Sequence, residues 1–176
     1  MNRIAEFAFI SEERWIKDWV DTFKSTDMGN ESCAREAFAS LKLPVRATKG
    51  SAGYDFYTPF DISLEPGESV KIPTGIRCKM DLGYVLLIVP RSSLGFKYGL
   101  MLANTVGVID SDYYDSDNEG HIFIKMINTN TEGKTVKLKK GEAVAQGIFV
   151  AYGITMDDNS TDKRNGGFGS TNEKQN

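Results

Sequence analysis

From Pro44 onward the chain is a succession of short apolar runs, rich in β-branched and aromatic residues and ended by glycine, proline or aspartate. Such runs are typical of β-strands, and the intervening Gly, Pro and Asp residues are typical of turns. The clearest runs lie at 69–72, 84–89, 121–127, 135–138 and 143–150. Many short strands joined by turns predict a mainly β fold, an antiparallel β-sandwich or a distorted jelly-roll barrel.

The segment before this region has a different pattern. Residues 3–10 predict a first strand, Ser11 is a candidate helix N-cap, and helices are predicted at 12–24 and 31–40. The apolar positions at helical spacing in the first helix are Trp15, Ile16, Trp19, Val20 and Phe23. Because an apolar helix face must be covered, we expect residues 1–40 to form a strand-helix-helix extension packed on the β core.

Length and composition favour a single domain with its own core. The chain has 176 residues, 40% of them hydrophobic, and a formal net charge of -3, which gives no reason to expect nucleic acid or a membrane as the main partner. Its two cysteines, Cys33 and Cys78, are far apart and outside any CxxC pair, so free thiols are favoured over a disulfide or a metal site. No signal peptide or membrane-spanning run is predicted, and a cytoplasmic location is expected.

The segment Pro90-Arg-Ser-Ser-Leu-Gly95 follows an apolar strand and carries groups suited to phosphate. Arg91 offers a charged fork, Ser92 and Ser93 offer hydroxyls, and Gly95 allows close approach of the backbone. The alternative is a plain polar loop after a strand. Since the chain lacks GxxxxGK[ST], this segment is not a P-loop.

The segment Asn104–Tyr113 combines a base reader with a candidate catalytic acid. Asn104 has a donor and an acceptor for a base edge, and Gly107 permits a tight bend near a ligand. Asp110 ends an apolar run, which suits a carboxylate that orients and deprotonates water. Tyr113 supplies a flat ring for a sugar or base. The alternative is a surface hairpin with incidental acidic residues.

From Asp157 the chain is polar and rich in glycine, which predicts a mobile tail over 157–176. Within it, Arg164 can meet a phosphate and Phe168 can stack on a base, while the neighbouring glycines allow closure. The alternative is a tail without a role. His121 is the only histidine, so triad chemistry and a His-rich metal site have little support, and a structural or solvent-facing role is expected.

Five segments in fixed order resemble the motifs of the trimeric dUTPases, in the form found in Firmicutes and their phages, over roughly residues 41–171. They are Ser51–Phe56, Pro90–Gly95, Asn104–Tyr113, Gly141–Gln146 and Arg164–Thr171. The resemblance implies a β core at 41–156, a glycine-rich lid at 157–176, and hydrolysis of dUTP to dUMP and pyrophosphate with Mg²⁺. It also implies a homotrimer whose active sites lie between subunits.

The resemblance further implies a role for each matching residue. Asp110 would activate water for attack on the α-phosphorus, Tyr113 would pack under the deoxyribose, and Asp55 would lie near the metal, directly or through water. Arg164 and Phe168 would come from a neighbouring subunit and close the site. The implied substrate-binding residues are Arg91, Ser92, Ser93, Asn104, Gly107, Val108, Ile109, Tyr113, Gln146, Arg164, Phe168, Gly169 and Ser170.

The chain departs from the common family pattern at several points. The acidic segment Tyr114–Gly120 is an insertion beside the site, Ala143 stands where an arginine is frequent, and Asn172 replaces a frequent glycine. Two alternatives stay open: a dCTP deaminase of the same fold, and a nucleotide-dependent module that binds a protein partner through residues 1–40 or the insertion.

Overall fold

The computed structural model describes residues 2–161 and Arg164. Within these residues the chain is mainly antiparallel β-structure with few helices, so the predicted fold class is confirmed. The strands are Ala5–Phe9 (β1), Val45–Arg46 (β2), Tyr54–Tyr57 (β3), Ile62–Leu64 (β4), Ser69–Pro73 (β5), Ile76–Met80 (β6), Tyr84–Pro90 (β7), Leu100–Leu102 (β8), Gly107–Ile109 (β9), Phe123–Asn128 (β10), Val136–Leu138 (β11) and Ala143–Ala151 (β12). The helices are Glu12–Phe23 (α1), Glu31–Phe38 (α2), Ser92–Tyr98 (α3) and a 3₁₀ helix at Ser111–Asp115.

The largest sheet is built around the long strand β12. Its strand order is β2-β3-β12-β7-β9, and smaller sheets have the orders β5-β10-β8, β4-β11 and β1-β6. In the large sheet Gln146 pairs with Asp55 on one side and with Val89 on the other. The same sheet pairs Ile88 of β7 with Gly107 of β9. Residues from four of the five sequence motifs are thereby fixed on one sheet, since Pro90 ends β7 and pairs with Ala145.

Alternation along the strands creates the core. In β7, Leu86 and Ile88 are buried while their neighbours are only partly covered, as expected for side chains that alternate between the faces of a strand. They join Phe56 and Val144 of the same sheet and Ile124 of the neighbouring one in a single apolar cluster. Burial of each such side chain stabilises the fold by about 1.5–3 kcal/mol.

Helix α1 begins at the predicted cap and buries its tryptophans. The Ser11 hydroxyl accepts a hydrogen bond from the Arg14 amide, which satisfies one of the free amides of the first turn. Trp15 and Trp19 are buried. The Trp15 indole donates to the Ala34 carbonyl of α2 at 2.7 Å, so a polar contact joins the two helices.

Phe60 connects this helical extension to the β core. Its ring makes edge contacts with Trp19 and Phe23, at centroid distances of 5.8 and 5.0 Å. Phe60 also packs against the main apolar cluster of the sheets. Strand β1 adds a second attachment by pairing with β6 over five residue pairs.

Asn128 is a fully buried polar side chain at the end of β10. Its amide nitrogen donates to the carbonyls of Leu64 and Lys134, both at 2.9 Å, and its oxygen accepts from the Asn130 amide at 3.0 Å. This one side chain satisfies two carbonyls and one amide. Asn128 therefore fixes the turn after β10 to strand β4.

Candidate functional site

A cavity of about 550 Å³ lies beside β9 and the 3₁₀ helix. Its lining comes from the Asn104–Tyr113 segment, from strands β5, β7, β8 and β10, and from Arg164. Thus the structure brings Asn104, Gly107, Val108, Ile109, Tyr113 and Arg164 to one place. The lining residues are Lys71, Ile88, Leu102, Ala103, Asn104, Gly107, Val108, Ile109, Tyr113, Phe123, Lys125 and Arg164.

Asn104 is presented on a strained turn between β8 and β9. The Thr105 amide donates to the Leu102 carbonyl and the Val106 amide donates to the Asn104 carbonyl, at 3.0 and 2.7 Å. Thr105 has a φ of 67°, which is rare for a β-branched residue. Such strain, costing about 1–3 kcal/mol, collects at ligand-binding segments, and the turn leaves Asn104 exposed at the cavity.

Asp110 follows β9 and occupies the N-cap position of the 3₁₀ helix. It does not itself line the cavity, but the preceding residue, Ile109, does. Its carboxylate is half-buried and accepts a hydrogen bond from the Arg164 guanidinium. The Arg164 Nε also lies 3.1 Å from an Asp112 carboxylate oxygen, and the guanidinium carbon is 5.6 Å from the centre of the Tyr113 ring. A cation and a positioned carboxylate therefore meet where the sequence predicted a catalytic acid.

The Tyr113 ring forms part of the cavity wall while its hydroxyl points into the protein. The hydroxyl donates to the His121 carbonyl at 2.8 Å and accepts from the Asn118 amide at 2.7 Å. Burial raises the pKa of this phenol, which keeps it a neutral donor. These two bonds fix the plane of the ring that faces the cavity.

The inserted segment Tyr114–Gly120 packs behind that wall. Asn118 holds Tyr113, and the Glu119 carboxylate accepts from both the amide and the hydroxyl of Ser11, at 2.8 and 2.6 Å. Arg77 donates to the Tyr114 carbonyl at 2.6 Å and stacks on its ring at 3.5 Å. The insertion thus joins the start of helix α1 to the back of the cavity.

His121 is fully buried next to this insertion, so of the two roles expected from the sequence the solvent-facing one is wrong and the structural one remains. Burial lowers the pKa of its imidazole, with Arg14 and Lys71 acting in the same direction and Asp18 opposing them. Burial would raise the pKa of Asp18, but hydrogen bonds from His121 and Arg14 outweigh it and the net direction is downward. We infer a neutral imidazole beside an ionised carboxylate, because His121 Nε2 accepts the Gly75 amide at 2.9 Å and cannot carry a proton there.

A second group of predicted residues lies on β3, β7 and β12. Arg91 Nε is 3.3 Å from an Asp55 carboxylate oxygen, and Arg91 also donates to the Ala143 carbonyl at 3.4 Å. The Gln146 amide donates to the Pro90 carbonyl at 3.4 Å, beside the Asp55–Gln146 strand pair. We call Arg91, Asp55 and Gln146 the polar cluster.

Ser92 and Ser93, predicted to lie in a loop, form the first turn of helix α3. Both are exposed. The helix ends at Gly99, whose φ of 65° is the left-handed conformation typical of a residue that closes a helix. Gly99 is a sequence signal that could have indicated the end of this helix. The first turn of α3, which carries the two hydroxyls, starts directly after Arg91 of the polar cluster.

The cavity and the polar cluster are separate in the single chain, since none of the cluster's three residues lines the cavity. Arg164 reaches Asp110 of its own chain, and its supply by a neighbouring subunit stays a prediction. The predicted residues Phe168, Gly169 and Ser170 lie outside the described part of the chain.

The polar cluster limits how a divalent cation can be held. Mg²⁺ prefers oxygen ligands and usually keeps waters and substrate phosphates among them. In residues 2–161 and Arg164 there is no group of three acidic, histidine or cysteine side chains that could hold a metal. Asp55, already paired with Arg91, therefore fits an ion bound mainly by substrate phosphates and not a cage of protein ligands.

Comparison with known proteins decides the family. The family model described as dUTPase matches residues 39–172. The chain belongs to the dUTPase family. A relative from Lactococcus lactis, deoxyuridine 5'-triphosphate nucleotidohydrolase, is 44% identical over 146 residues, covering 81% of this chain and 96% of the relative. The resemblance of the five motifs is confirmed, and the protein is an enzyme, a dUTP diphosphatase.

Solved structures support the same family. The dUTPase from Streptococcus mutans is 37% identical, with a TM-score of 0.60, over 85% of this chain and 97% of that one. A dUTPase of Staphylococcus bacteriophage 80alpha, solved with dUpNHpp, is 19% identical with a TM-score of 0.61, over 92% and 98% of the two chains. At that identity the phage enzyme shows the fold alone.

The sequence reasoning missed several residues that build the dUTPase cavity. Lys71, Phe123 and Lys125 all line it, with the Lys71 ammonium 4.2 Å from the centre of the Phe123 ring. Alternation along β5 and β10 was an available signal, because Lys71 and Lys125 are paired across the two strands. Nothing in the sequence pattern indicated that Asn118 holds Tyr113.

Proposed function

We propose that the protein hydrolyses dUTP to dUMP and pyrophosphate by attack of a water on the α-phosphorus, with Asp110 as the general base. The observation that carries this proposal is the position of Asp110: its carboxylate accepts a hydrogen bond from the cavity-lining Arg164, and its neighbour Ile109 also lines the cavity. A carboxylate held in this way can orient a water and accept its proton.

Uracil would be read by Asn104 and by the backbone of Gly107, Val108 and Ile109. The amide of Asn104 can pair with a base edge, and we propose that the hairpin around β9 excludes the methyl group of thymine. The ring of Tyr113 would pack under the deoxyribose and exclude a 2′-hydroxyl. The fixed plane of that ring supports this role.

The triphosphate would be held by Arg91, Ser92, Ser93 and Gln146. Asp55 would face the bound metal, directly or through water. When bound, Mg²⁺ supplies neutralisation of the triphosphate charge. On substrate binding the Arg164 guanidinium would exchange the carboxylate of Asp110 for phosphate oxygens, which releases the base for its water.

We also propose a homotrimer in which the cavity of one subunit faces the polar cluster of another. Its support is the separation of the two groups within one chain. Arg164, Phe168, Gly169 and Ser170 would close the site as a lid. The described residues include no helix long and apolar enough to cross a bilayer.

We further propose that the enzyme is cytoplasmic, keeps uracil out of DNA and supplies dUMP.

The test is pyrophosphate release with Mg²⁺ from dUTP, dCTP, dTTP and UTP in parallel, for the unmodified protein and for Asp110→Asn. We expect release from dUTP alone, and loss of turnover with retained dUTP binding for Asp110→Asn. Asp112→Asn is the matched control, because it also removes a carboxylate near Arg164 and should keep most activity. Near-normal turnover by Asp110→Asn would reject the base, and ammonia release from dCTP would favour a deaminase.

A further inference from the structure

A chain of hydrogen bonds leads from helix α1 to the back of the cavity. Arg14 donates to both carboxylate oxygens of Asp18, at 2.9 and 2.6 Å. The other partner of Asp18 is His121, whose Nδ1 lies 2.6 Å from the carboxylate. Asp18 and His121 are 5% and 0% exposed, so this network lies in the interior and not on the surface of the helix.

The imidazole is fixed at both nitrogens. Gly75 donates its amide to Nε2, which therefore carries no proton, and Nδ1–H donates to Asp18. A buried ring with both nitrogens satisfied has one orientation. The position of residue 121 is thus set by α1 on one side and by the start of β6 on the other.

His121 in turn contacts two residues of the cavity wall. Its carbonyl accepts the hydrogen bond from the Tyr113 hydroxyl, and its ring centre is 4.1 Å from that of Phe123. Tyr113 and Phe123 both line the cavity. A shift of His121 would therefore move these two lining residues together.

We propose that Asp18 and His121 are positioning residues for substrate selection, through which the N-terminal helix sets the place of Tyr113 and Phe123. Neither residue is among those that line the cavity. The inference rests on the proposed function, in which Tyr113 excludes a 2′-hydroxyl. An apolar pair would pack helix α1 on the core equally well, but it would not fix the direction of a carbonyl that Tyr113 uses.

The same pair has a simpler reading, in which it only attaches the helical extension. The two readings differ in what a variant changes. Loss of attachment lowers the free energy of unfolding but leaves the folded molecules equally selective. Loss of positioning changes the preference for dUTP over UTP in molecules that remain folded, because the Tyr113 ring no longer has one position.

The variant that separates them is Asp18→Ala in the full-length protein, with Asp21→Ala as the matched control. Asp21 is exposed on the same helix. Alanine removes the acceptor of the His121 Nδ1–H bond. From the usual net strength of one buried hydrogen bond, we expect the ratio of kcat/KM for dUTP to that for UTP to fall about three- to tenfold in Asp18→Ala. It should not change in Asp21→Ala. An unchanged ratio in Asp18→Ala would overturn the inference.

Tyr113→Ala shows whether a failure belongs to this inference or to the proposed function. If Tyr113→Ala loses selectivity and Asp18→Ala keeps it, the positioning role is wrong and the role of Tyr113 stands. If both variants keep full selectivity, the role of Tyr113 is wrong and the inference falls with it.

A measurement on the unmodified protein applies even if Asp18→Ala does not fold. His121 is the only histidine, so the ring signals of ¹⁵N-histidine-labelled protein belong to one residue. We expect a neutral ring protonated at Nδ1, with signals that shift when dUMP is added. A ring protonated at Nε2, or signals indifferent to saturating dUMP, would overturn the inference.

Discussion

Substitution of Gly53 by alanine should reduce activity with little effect on stability. An ideal Cβ at this position would lie 2.3 Å from the side-chain oxygen of Gln146 and 3.2 Å from its amide carbon. Both are the far end of a flexible side chain, so Gln146 would rotate away from the polar cluster. Its present bond to the Pro90 carbonyl is long, at 3.4 Å, and would resist this movement weakly.

The expected magnitudes follow from these contacts. A changed rotamer of Gln146 costs about 0.5–1.5 kcal/mol, while replacing glycine restricts the unfolded chain and returns about 0.4–1 kcal/mol. The free energy of unfolding should therefore change by less than about 1 kcal/mol. Loss of a hydrogen bond to a charged phosphate costs about 1.5–3 kcal/mol, which corresponds to a fall of about ten- to a hundredfold in kcat/KM.

Two other glycines provide controls for the assay, which is pyrophosphate release from dUTP together with urea denaturation at one protein concentration. At Gly50 a Cβ would meet nothing within 4 Å, so Gly50→Ala should change neither quantity. At Gly147 it would meet Leu86 and Phe56 in the core at 2.8 and 2.9 Å, so Gly147→Ala should lose about 1–3 kcal/mol of stability. Full activity in Gly53→Ala, alongside a strong loss in Gln146→Ala, would refute the reasoning.

Three further changes test the interior. Asn128→Ala removes three hydrogen bonds to backbone groups and should lower the free energy of unfolding, measured by urea denaturation, by at least about 2 kcal/mol. A loss under about 1 kcal/mol would show that water takes the place of the Asn128 side chain. The pKa of buried His121 is lowered, so below the ordinary histidine pKa near 6.5 the unfolded chain binds more protons than the native protein. The free energy of unfolding should therefore fall by up to about 1.4 kcal/mol from pH 7.5 to 5.5. The lowered pKa of Asp18 adds a loss of the same sign only nearer pH 4. A flat profile between pH 7.5 and 5.5 would show that the imidazole binds its proton equally well in the native and unfolded states. Burial raises the pKa of the Cys78 thiol to about 12, so a thiol reagent should modify Cys33 in the native protein and reach Cys78 only after unfolding.

The elements that sequence predicts well are those with a strong local pattern. Helix α1 was expected at 12–24 and lies at Glu12–Phe23, because its apolar residues at 15, 16, 19, 20 and 23 fall on one face of a helix but not of a strand. Strand β7 was expected at 84–89 and lies at Tyr84–Pro90, with Leu86 and Ile88 on the buried face. Local periodicity decides such elements before any tertiary contact forms.

The features that sequence did not predict depend on distant partners or on weak local signals. Asp18 and His121 are 103 residues apart, and no pattern around either one indicates the other. Helix α3 has few apolar positions, and its first turn, Ser92 and Ser93, is neutral between helix and loop. The motif residues were found individually, but their separation into a cavity and a polar cluster depends on which face of the sheet each one reaches.

The contact between Ser11 and Glu119 has an evolutionary consequence. The carboxylate of Glu119 takes both the amide and the hydroxyl of Ser11. A chain that gained the helical extension without the inserted segment would lose this anchor, and one that gained the insertion alone would expose a carboxylate with no counterpart. The two segments are 108 residues apart, yet we expect lineages to gain or lose them together, as one inherited unit.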